Sequence, residues 1–153
     1  MPIFEITYPE GALEPDARVK LLDDLTTAIL NAERAPNGEF FRGVTWGYVN
    51  ELPADSVVAA GRPVEKPTFK VDLTTPQGAL SDRRREEFVV EATRLVSEAA
   101  GIPEDEGLRV FVLMHEVAEG SWGAAGQVVR FEQLRELALA EREKADEAVT
   151  AGG

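Results

Sequence analysis

The sequence contains no cysteine and a single histidine, His115, among its 153 residues. Without cysteine there are no disulfides, thiolate metal sites, iron–sulfur clusters or cysteine nucleophiles, and one histidine does not make a histidine-rich metal site. No run approaches the roughly 18 apolar residues of a membrane helix, and the first residues lack the basic and apolar segments of a signal peptide. We therefore expect a cytoplasmic protein without a bound metal.

Positive charge is also scarce, because 16 Lys and Arg residues stand against 28 Asp and Glu, giving a net charge of -12. A surface this negative repels phosphate backbones and anionic membranes, so we expect neither nucleic acid nor membrane as a partner. A small organic anion remains a possible substrate where an arginine is placed locally. The proportions of 44% hydrophobic and 29% charged residues are typical of a globular protein.

The chain contains an internal repeat. Residues 9–14 (PEGALE) are echoed by residues 76–81 (PQGALS). Before each lies an alternating apolar run, at residues 3–8 and 69–73, whose period of two and β-branched or aromatic side chains predict a strand.

Each half continues with a helical pattern and then a second apolar run. The helical spacing of three and four residues is carried by Val19, Leu22, Leu25 and Ile29 in the first half, and by Phe88, Val89, Ala92 and Val96 in the second. The second runs, residues 43–49 and 108–114, lead to Glu51 and Glu116, and each is followed by an Ala-Ala-Gly loop. A strand is predicted for both.

The predicted fold class is α+β, in a two-layer α/β arrangement. Two tandem β-α-β units, with right-handed crossovers, form a four-stranded mixed sheet with two helices on one face, plus a C-terminal helix. We expect a single domain over residues 1–153, with repeat one at 2–61, repeat two at 67–126 and a helical tail at 127–153 that frays or docks on a neighbour. The uncovered sheet face predicts a homo-oligomer.

Pro2 directly follows the initiator methionine. In one interpretation it begins an edge strand, where its missing N–H does no harm. In the other, removal of Met1 leaves a secondary amine at the start of a strand. Burial disfavours the charged form of an amine and lowers its pKa towards the working pH, as a general base requires.

Several of these motifs together resemble the tautomerase superfamily: Pro2-Ile3 at the start of a strand, Glu10-Gly11 at its end, an amphipathic helix, a second strand, and the glycine-rich loop of residues 119–126. The resemblance covers residues 2–130. It is similar to 4-oxalocrotonate tautomerase and, in layout, to the longer, fused members around cis-3-chloroacrylic acid dehalogenase. The resemblance implies a homotrimer that needs no cofactor and uses Pro2 as general base and acid.

Three functions stay open. The first is a tautomerase or isomerase that interconverts keto and enol forms of a small 2-hydroxydienoate or 2-oxo acid. The second is a dehalogenase, hydratase or decarboxylase of a short unsaturated acid, with Pro2 kept protonated. The third is a non-catalytic trimeric binding protein of the same fold. One observation favours this third alternative: Ala12 and Ala79 stand where the short tautomerases carry a substrate-binding arginine.

Because that substrate-binding arginine is missing, the cation that would bind the substrate carboxylate is sought among Arg34, Arg42, Arg62 and Arg109. Arg109 is the preferred catalytic candidate, because strand alternation places it with Phe111, Leu113 and His115, and an arginine there would bind a carboxylate and polarise a developing enolate. Arg42 is the second catalytic candidate, and Arg34 is a substrate-binding one. The run Arg83-Arg84-Arg85 is expected on a solvated helix face, pairing with Glu86 and Glu87.

The remaining candidates are aromatic or polar groups for substrate binding. By resemblance Trp122 forms a wall of the active site, with packing at a subunit interface as the alternative. Trp46 and Tyr48 share a strand face and supply a hydrophobic wall and a hydrogen-bond donor, or belong to the core. His115 occupies the position of Asn50 in the other repeat and is either a hydrogen-bonded structural group or a ligand to the substrate.

Overall fold

The computed structural model describes residues 1–151, with the side chains of residues 1–145 and 147. The first half contains β1 (Ile3–Pro9), α1 (Pro15–Glu33), α2 (Glu39–Gly43), β2 (Trp46–Leu52), β3 (Val58–Ala59) and β4 (Arg62–Pro63). The second half contains β5 (Phe69–Pro76), α3 (Asp82–Ala100), a 3₁₀ helix (Glu104–Arg109), β6 (Val110–Val117), β7 (Gly123–Ala124), β8 (Gln127–Val128) and α4 (Phe131–Ala151).

The main sheet has the strand order β2-β1-β5-β6. The pairs β1–β2 and β5–β6 are parallel, as β-α-β units require, and the two units meet where β1 and β5 run antiparallel, with Ile3 opposite Thr74. Helices α1 and α3 pack against each other. The predicted fold class, a four-stranded mixed sheet built from two β-α-β units with an additional C-terminal helix, is therefore confirmed.

The ends of the two sheet-covering helices follow from local sequence. Pro15 lies in the first turn of α1, where its missing N–H costs nothing. The hydroxyl of Ser81 accepts a hydrogen bond from the Arg84 N–H at 3.5 Å and caps α3. Gly101 ends α3 with φ +63°, a left-handed conformation that glycine adopts without steric cost.

The core lies between the sheet and these two helices. Alternate residues of β1 and β5 point into it, among them Phe4, Ile6, Tyr8, Val71 and Leu73, and all are nearly inaccessible to solvent. They meet the apolar stripes of α1 and α3, which include Leu25, Ile29, Phe88, Ala92 and Val96.

The opposite face of the sheet is open and mixed in character. It carries large apolar side chains at Trp46, Tyr48, Phe111 and Leu113, which are 58%, 48%, 60% and 43% exposed. Polar pairs lie between them: the Asn50 amide donates to Glu5 at 3.1 Å, and Asp72 contacts Lys70 at 2.9 Å and His115 at 3.1 Å.

The internal repeat extends to the loops. Strands β3 and β4 form a hairpin around Ala60 and Gly61, with φ of 51° and 75°, and β7 and β8 form one around Ala125 and Gly126, with φ of 52° and 75°. Positive φ at both central residues is the requirement of a type I′ turn, which matches the twist of a two-stranded ribbon. The Ala-Ala-Gly sequences therefore specify the same turn twice.

Several predicted boundaries are wrong. The second strands begin at Trp46 and Val110, because short helical segments precede them and take up residues 39–43 and 104–109. The tail forms helix α4 from Phe131, and its Leu134 is 7% exposed because it packs against its own chain. Within the described residues, no helix is long and apolar enough to cross a membrane.

Candidate functional site

The topology brings the amino terminus to a corner where several elements end. Because β1 runs parallel to β2 and antiparallel to β5, the start of β1 lies beside the start of β2 and the end of β5. Pro2 is buried there, and its carbonyl accepts a hydrogen bond from the Trp46 N–H at 3.2 Å. This bond fixes the chain at Pro2, and Met1 lines the space next to α4.

A cavity of about 470 Å³ opens at this corner, between the amino terminus, the end of α1, the loop after β5, and α4. Its walls combine apolar and charged side chains. The apolar ones include Met1, Phe41, Phe131, Leu134 and Leu139, and the charged ones are Glu33, Arg34, Arg84, Arg135 and Arg142.

The arginines of this cavity differ from most others in the protein. Among the described side chains, none of Arg34, Arg84, Arg135 and Arg142 lies within 4 Å of a carboxylate, whereas most other arginines form an ion pair: Arg18, Arg42, Arg83, Arg85, Arg94, Arg109 and Arg130. In a chain with a net charge of -12, a cluster of cations without carboxylate partners has the charge that suits a small anion.

Two of these arginines are held in place by hydrogen bonds. Arg84 donates from Nη1 to the Ala32 carbonyl at 2.8 Å and from Nε to the Ser81 hydroxyl at 3.2 Å, which fixes the guanidinium between α3 and the end of α1. Arg142 donates from Nη2 to the carbonyl of Arg34 and joins α4 to the end of α1. Each guanidinium has further N–H groups, and a carboxylate is the acceptor that suits their planar geometry.

Glu33 is the acidic residue of the cavity, and it lies close to the amino terminus. Its Oε1 is inaccessible to solvent and has no hydrogen-bond partner among the described residues. Burial raises the pKa of Glu33, against the smaller effects of the positive amino terminus and Arg84. Burial likewise lowers the pKa of the amine at Met1, and the Glu33 charge partly offsets this. The corner therefore favours neutral forms of both groups.

A second cavity, of about 630 Å³, adjoins the first at Met1 and Leu134. It lies between the β7–β8 hairpin and α4, and its wall is largely apolar, with Ala124, Val128 and Leu137. The amino terminus thus stands between a cationic cavity and an apolar one.

The structure places three of the predicted binding residues on the open sheet face. Trp46 is next to Ile3 in register and its indole N–H donates to the Gly43 carbonyl at 3.2 Å. Tyr48 lies two residues further along the same face, and His115 bonds Asp72 on β5. Within one chain these side chains stand on the other side of the sheet from the arginine cavity.

The other predicted residues are spread over the molecule. Arg34 lines the cavity, in the left-handed conformation that ends α1. Arg42 pairs with Asp23 and donates to Thr27 and Asn37, away from the cavity.

Arg109 precedes β6 and bonds the Pro67 carbonyl at 2.8 Å and Glu106 at 2.7 Å. It lies at the opposite end of β6 from Glu116, about 23 Å away at the rise of an extended strand. Trp122 is half-buried before β7, where its carbonyl accepts from the Val129 N–H at 2.8 Å.

Sequence reasoning missed three of the four cavity arginines. The expectation that Arg84 faces solvent with its neighbours is wrong, because its guanidinium turns back across the end of α1. The Arg85 side chain likewise does not simply face solvent, because it reaches from α3 to Glu116 at the end of β6 and forms an ion pair at 2.8 Å. A signal for Arg135 and Arg142 was present, since both follow the three- and four-residue spacing of Phe131 and Leu134.

The fold consists of two paired β-α-β repeats, and its first strand starts at the amino terminus. Known proteins share this fold. The family model described as "Tautomerase enzyme" matches residues 67–138. The predicted resemblance to the tautomerase superfamily, with its longer, fused members, is thereby confirmed. No functionally curated protein matches the sequence significantly.

Solved structures match over most of the chain. The structure of "N1, a member of cis-3-chloroacrylic acid dehalogenase (cis-CaaD) family" has a TM-score of 0.72 at 16% identity and covers 95% of this chain and 99% of its own. The structure of "Pt0534 Inactivated by 2-Oxo-3-pentynoate" has a TM-score of 0.70 at 21% sequence identity, and the "R7 fused 4-OT wild type asymmetric trimer" has a TM-score of 0.68 at 17% identity. Each match covers 82% of this chain and 94% of the matched chain. At these identities the likeness shows a shared fold.

Proposed function

We propose that the chain, once Met1 is removed, is a cofactor-independent tautomerase or isomerase that acts on a small 2-hydroxydienoate or 2-oxo acid. The observation that carries this proposal is the position of the amino terminus, which opens into a cavity with four arginines and no carboxylate within 4 Å of them among the described side chains. Removal of Met1 would leave the Pro2 amine at that cavity.

The environment of the amino terminus supports a general base. Burial lowers the pKa of the amine at Met1, and the same burial would act on a Pro2 amine. A neutral secondary amine takes a proton from the substrate and returns it to another atom of the conjugated system, so that no net proton is consumed. Arg34 and Arg84 would hold the substrate carboxylate and stabilise the enolate that forms between the two transfers.

Glu33 favours the second candidate function. A carboxylate close to the Pro2 amine stabilises its protonated form, and a protonated proline acts as an acid in hydration, dehalogenation or decarboxylation of a short unsaturated acid. Burial is the larger influence on the amine, so the tautomerase remains the preferred function.

Assembly into a homotrimer is part of the proposal. The open sheet face exposes Trp46 and Tyr48 on β2 and Phe111 and Leu113 on β6, and large exposed apolar side chains grouped on one face are typical of a subunit interface. Several fused relatives with this fold are themselves trimers. Burial of this face between subunits would bring Tyr48 and His115 into the interior of the assembly.

The test is ketonisation of 2-hydroxymuconate, followed by ultraviolet absorbance with the protein whose N-terminal Pro2 has been verified by mass spectrometry. The matched controls are a form that retains Met1, in which the Pro2 nitrogen is an amide without basicity, and a Pro2→Ala variant, in which a primary amine replaces the secondary amine of proline. We expect a clear rate in the processed protein and a loss of at least about a hundredfold in both controls.

Other outcomes separate the alternatives. Equal rates in the processed protein and both controls would contradict a proline mechanism. Turnover of cis-3-chloroacrylate without ketonisation would favour the acid-type reaction. If neither compound reacts but small carboxylates bind, the non-catalytic binding protein is the better description.

A further inference from the structure

We propose that helix α4 is part of the anion-binding site, and that Arg135 and Arg142 bind a second carboxylate of the substrate, beside the one that Arg34 and Arg84 hold, while the helix covers the cavity next to Pro2. This inference deepens the proposed function and rests on it for the identity of the reaction. The binding role of α4 can be measured without turnover.

The first support is the stripe that α4 presents to the cavity. Its cavity-lining residues follow each other at alternating spacings of three and one: Phe131, Leu134, Arg135, Ala138, Leu139 and Arg142. Side chains at these spacings share one face of a helix. Leu134 is 7% exposed and anchors the stripe, so the two arginines are carried on a helix that is packed against its own chain.

The second support is the set of contacts that hold α4 in this position. The Phe131 N–H donates to Glu119 at 3.3 Å, which fixes the start of the helix to the loop after β6. Three turns later Arg142 bonds the Arg34 carbonyl, and the Glu141 carboxylate lies against Gly38, where a Cβ would collide with it. The helix thus bridges the cavity from the second repeat to the first.

The third support is charge. Arg34 faces the cavity from the end of α1, Arg84 from α3, and Arg135 and Arg142 from α4, whereas Glu33 is the one carboxylate among the described lining residues. The loop after β5 contributes Ala79 to the lining and no cation. Helix α4 therefore supplies half of the arginines around the amino terminus. The four arginines form two pairs, one on α4 and one at α1 and α3, so a small organic acid with two carboxylates fits the cavity better than a monoacid.

The experiment measures the affinity of fumarate, an unreactive dicarboxylate, by isothermal titration calorimetry with the full-length, Met1-processed protein. Arg135→Gln, Arg142→Gln and the double variant are compared with Lys144→Gln, which removes a charge from α4 at a position outside the cavity lining. We expect each single variant to weaken binding about three- to fivefold and the double variant at least about tenfold, whereas Lys144→Gln leaves it unchanged. Crotonate, the corresponding monoacid, should bind wild type more weakly than fumarate.

Amide hydrogen exchange supplies a second readout that does not depend on substitutions. Fumarate should slow exchange across residues 134–142 in wild type, because the ligand ties α4 to α1 and α3. Equal fumarate affinity in the double variant and wild type, or unchanged exchange in α4 on saturation, would overturn the inference.

Failure of this inference is distinguishable from failure of the proposed function. If the protein shows proline-dependent ketonisation but the double variant keeps the wild-type KM and fumarate affinity, the tautomerase stands and α4 has no binding role. If fumarate binding depends on the arginines but Pro2→Ala ketonises as fast as wild type, α4 binds the anion and the proline mechanism is wrong.

Discussion

Arg85 on α3 and Glu116 at the end of β6 form an ion pair, with Nη2 2.8 Å from Oε1, and Arg18 on α1 and Glu51 on β2 form the same pair at 3.3 Å in the other repeat. The Glu116 carboxylate also accepts a hydrogen bond from the Gly78 N–H at 3.1 Å. In each β-α-β unit a helix is thus tied to the end of the second strand.

The first prediction concerns the contribution of the Arg85–Glu116 ion pair to the free energy of unfolding. The single changes Arg85→Met and Glu116→Gln should each lower the free energy of unfolding by about 0.5–1 kcal/mol, because both side chains are about one-third exposed and solvent screens the pair. A double-mutant cycle by urea denaturation measures the coupling. Coupling near zero would show that the carboxylate is held by Gly78 alone.

The second prediction concerns the protonation of Pro2 in the Met1-processed protein. Burial should hold the pKa of its amine below that of a free prolyl amine, and Glu33→Gln should lower this pKa further, because a carboxylate that stabilises the ammonium form is lost. The amine should therefore be neutral down to lower pH in the variant, and the acidic limb of the activity profile should move to lower pH with it.

The measurement is a pH titration by NMR of protein labelled with ¹⁵N-proline. Glu14→Gln, which removes an exposed carboxylate just before the first turn of the same helix, is the matched control and should leave the pKa of Pro2 unchanged. Glu33→Asp should recover part of the wild-type value, since it keeps the charge. Identical titrations in wild type and Glu33→Gln would rule out Glu33 as the partner of the amine.

The third prediction concerns the packing of β2. A Cβ at Gly47 would collide with the buried ring of Phe4, its register partner on β1. Gly47→Ala should lower the free energy of unfolding by about 1–3 kcal/mol, as overpacking of a filled core does. Gly43→Ala is the control, because nothing lies within 4 Å of a Cβ there. Equal thermal stability of the two variants would contradict this account.

The fourth prediction concerns the open sheet face. Phe111 is 60% exposed in the single chain, and Phe111→Glu places a charge beside Leu113 on edge strand β6 of that face. If the face is the subunit interface, the variant should sediment as a monomer while wild type sediments as a trimer. Val90→Glu, on the outer side of α3 and 70% exposed, should keep the wild-type assembly. A monomeric wild type would remove the proposed role of the face.

Much of the fold was predictable because its signals are local and occur twice. Alternation specified β1 and β5, three- and four-residue spacing specified α1 and α3, and the repeat of residues 9–14 at 76–81 showed that both halves share one plan. The boundaries before β2 and β6 were missed, because short helical turns at residues 39–43 and 104–109 have no periodicity long enough to detect.

The candidate site likewise combines features that the sequence predicts with features that only the tertiary structure shows. The sequence by itself determined that Pro2 stands directly before the first strand and that no cysteine or histidine cluster supplies a metal, since these depend on residue identity and position along the chain. Only the tertiary structure decided which cations face the amino terminus. Arg84 and Arg142 are separated by 58 residues in sequence and meet at one cavity, because the antiparallel junction of the repeats and the return of α4 bring distant segments to one corner.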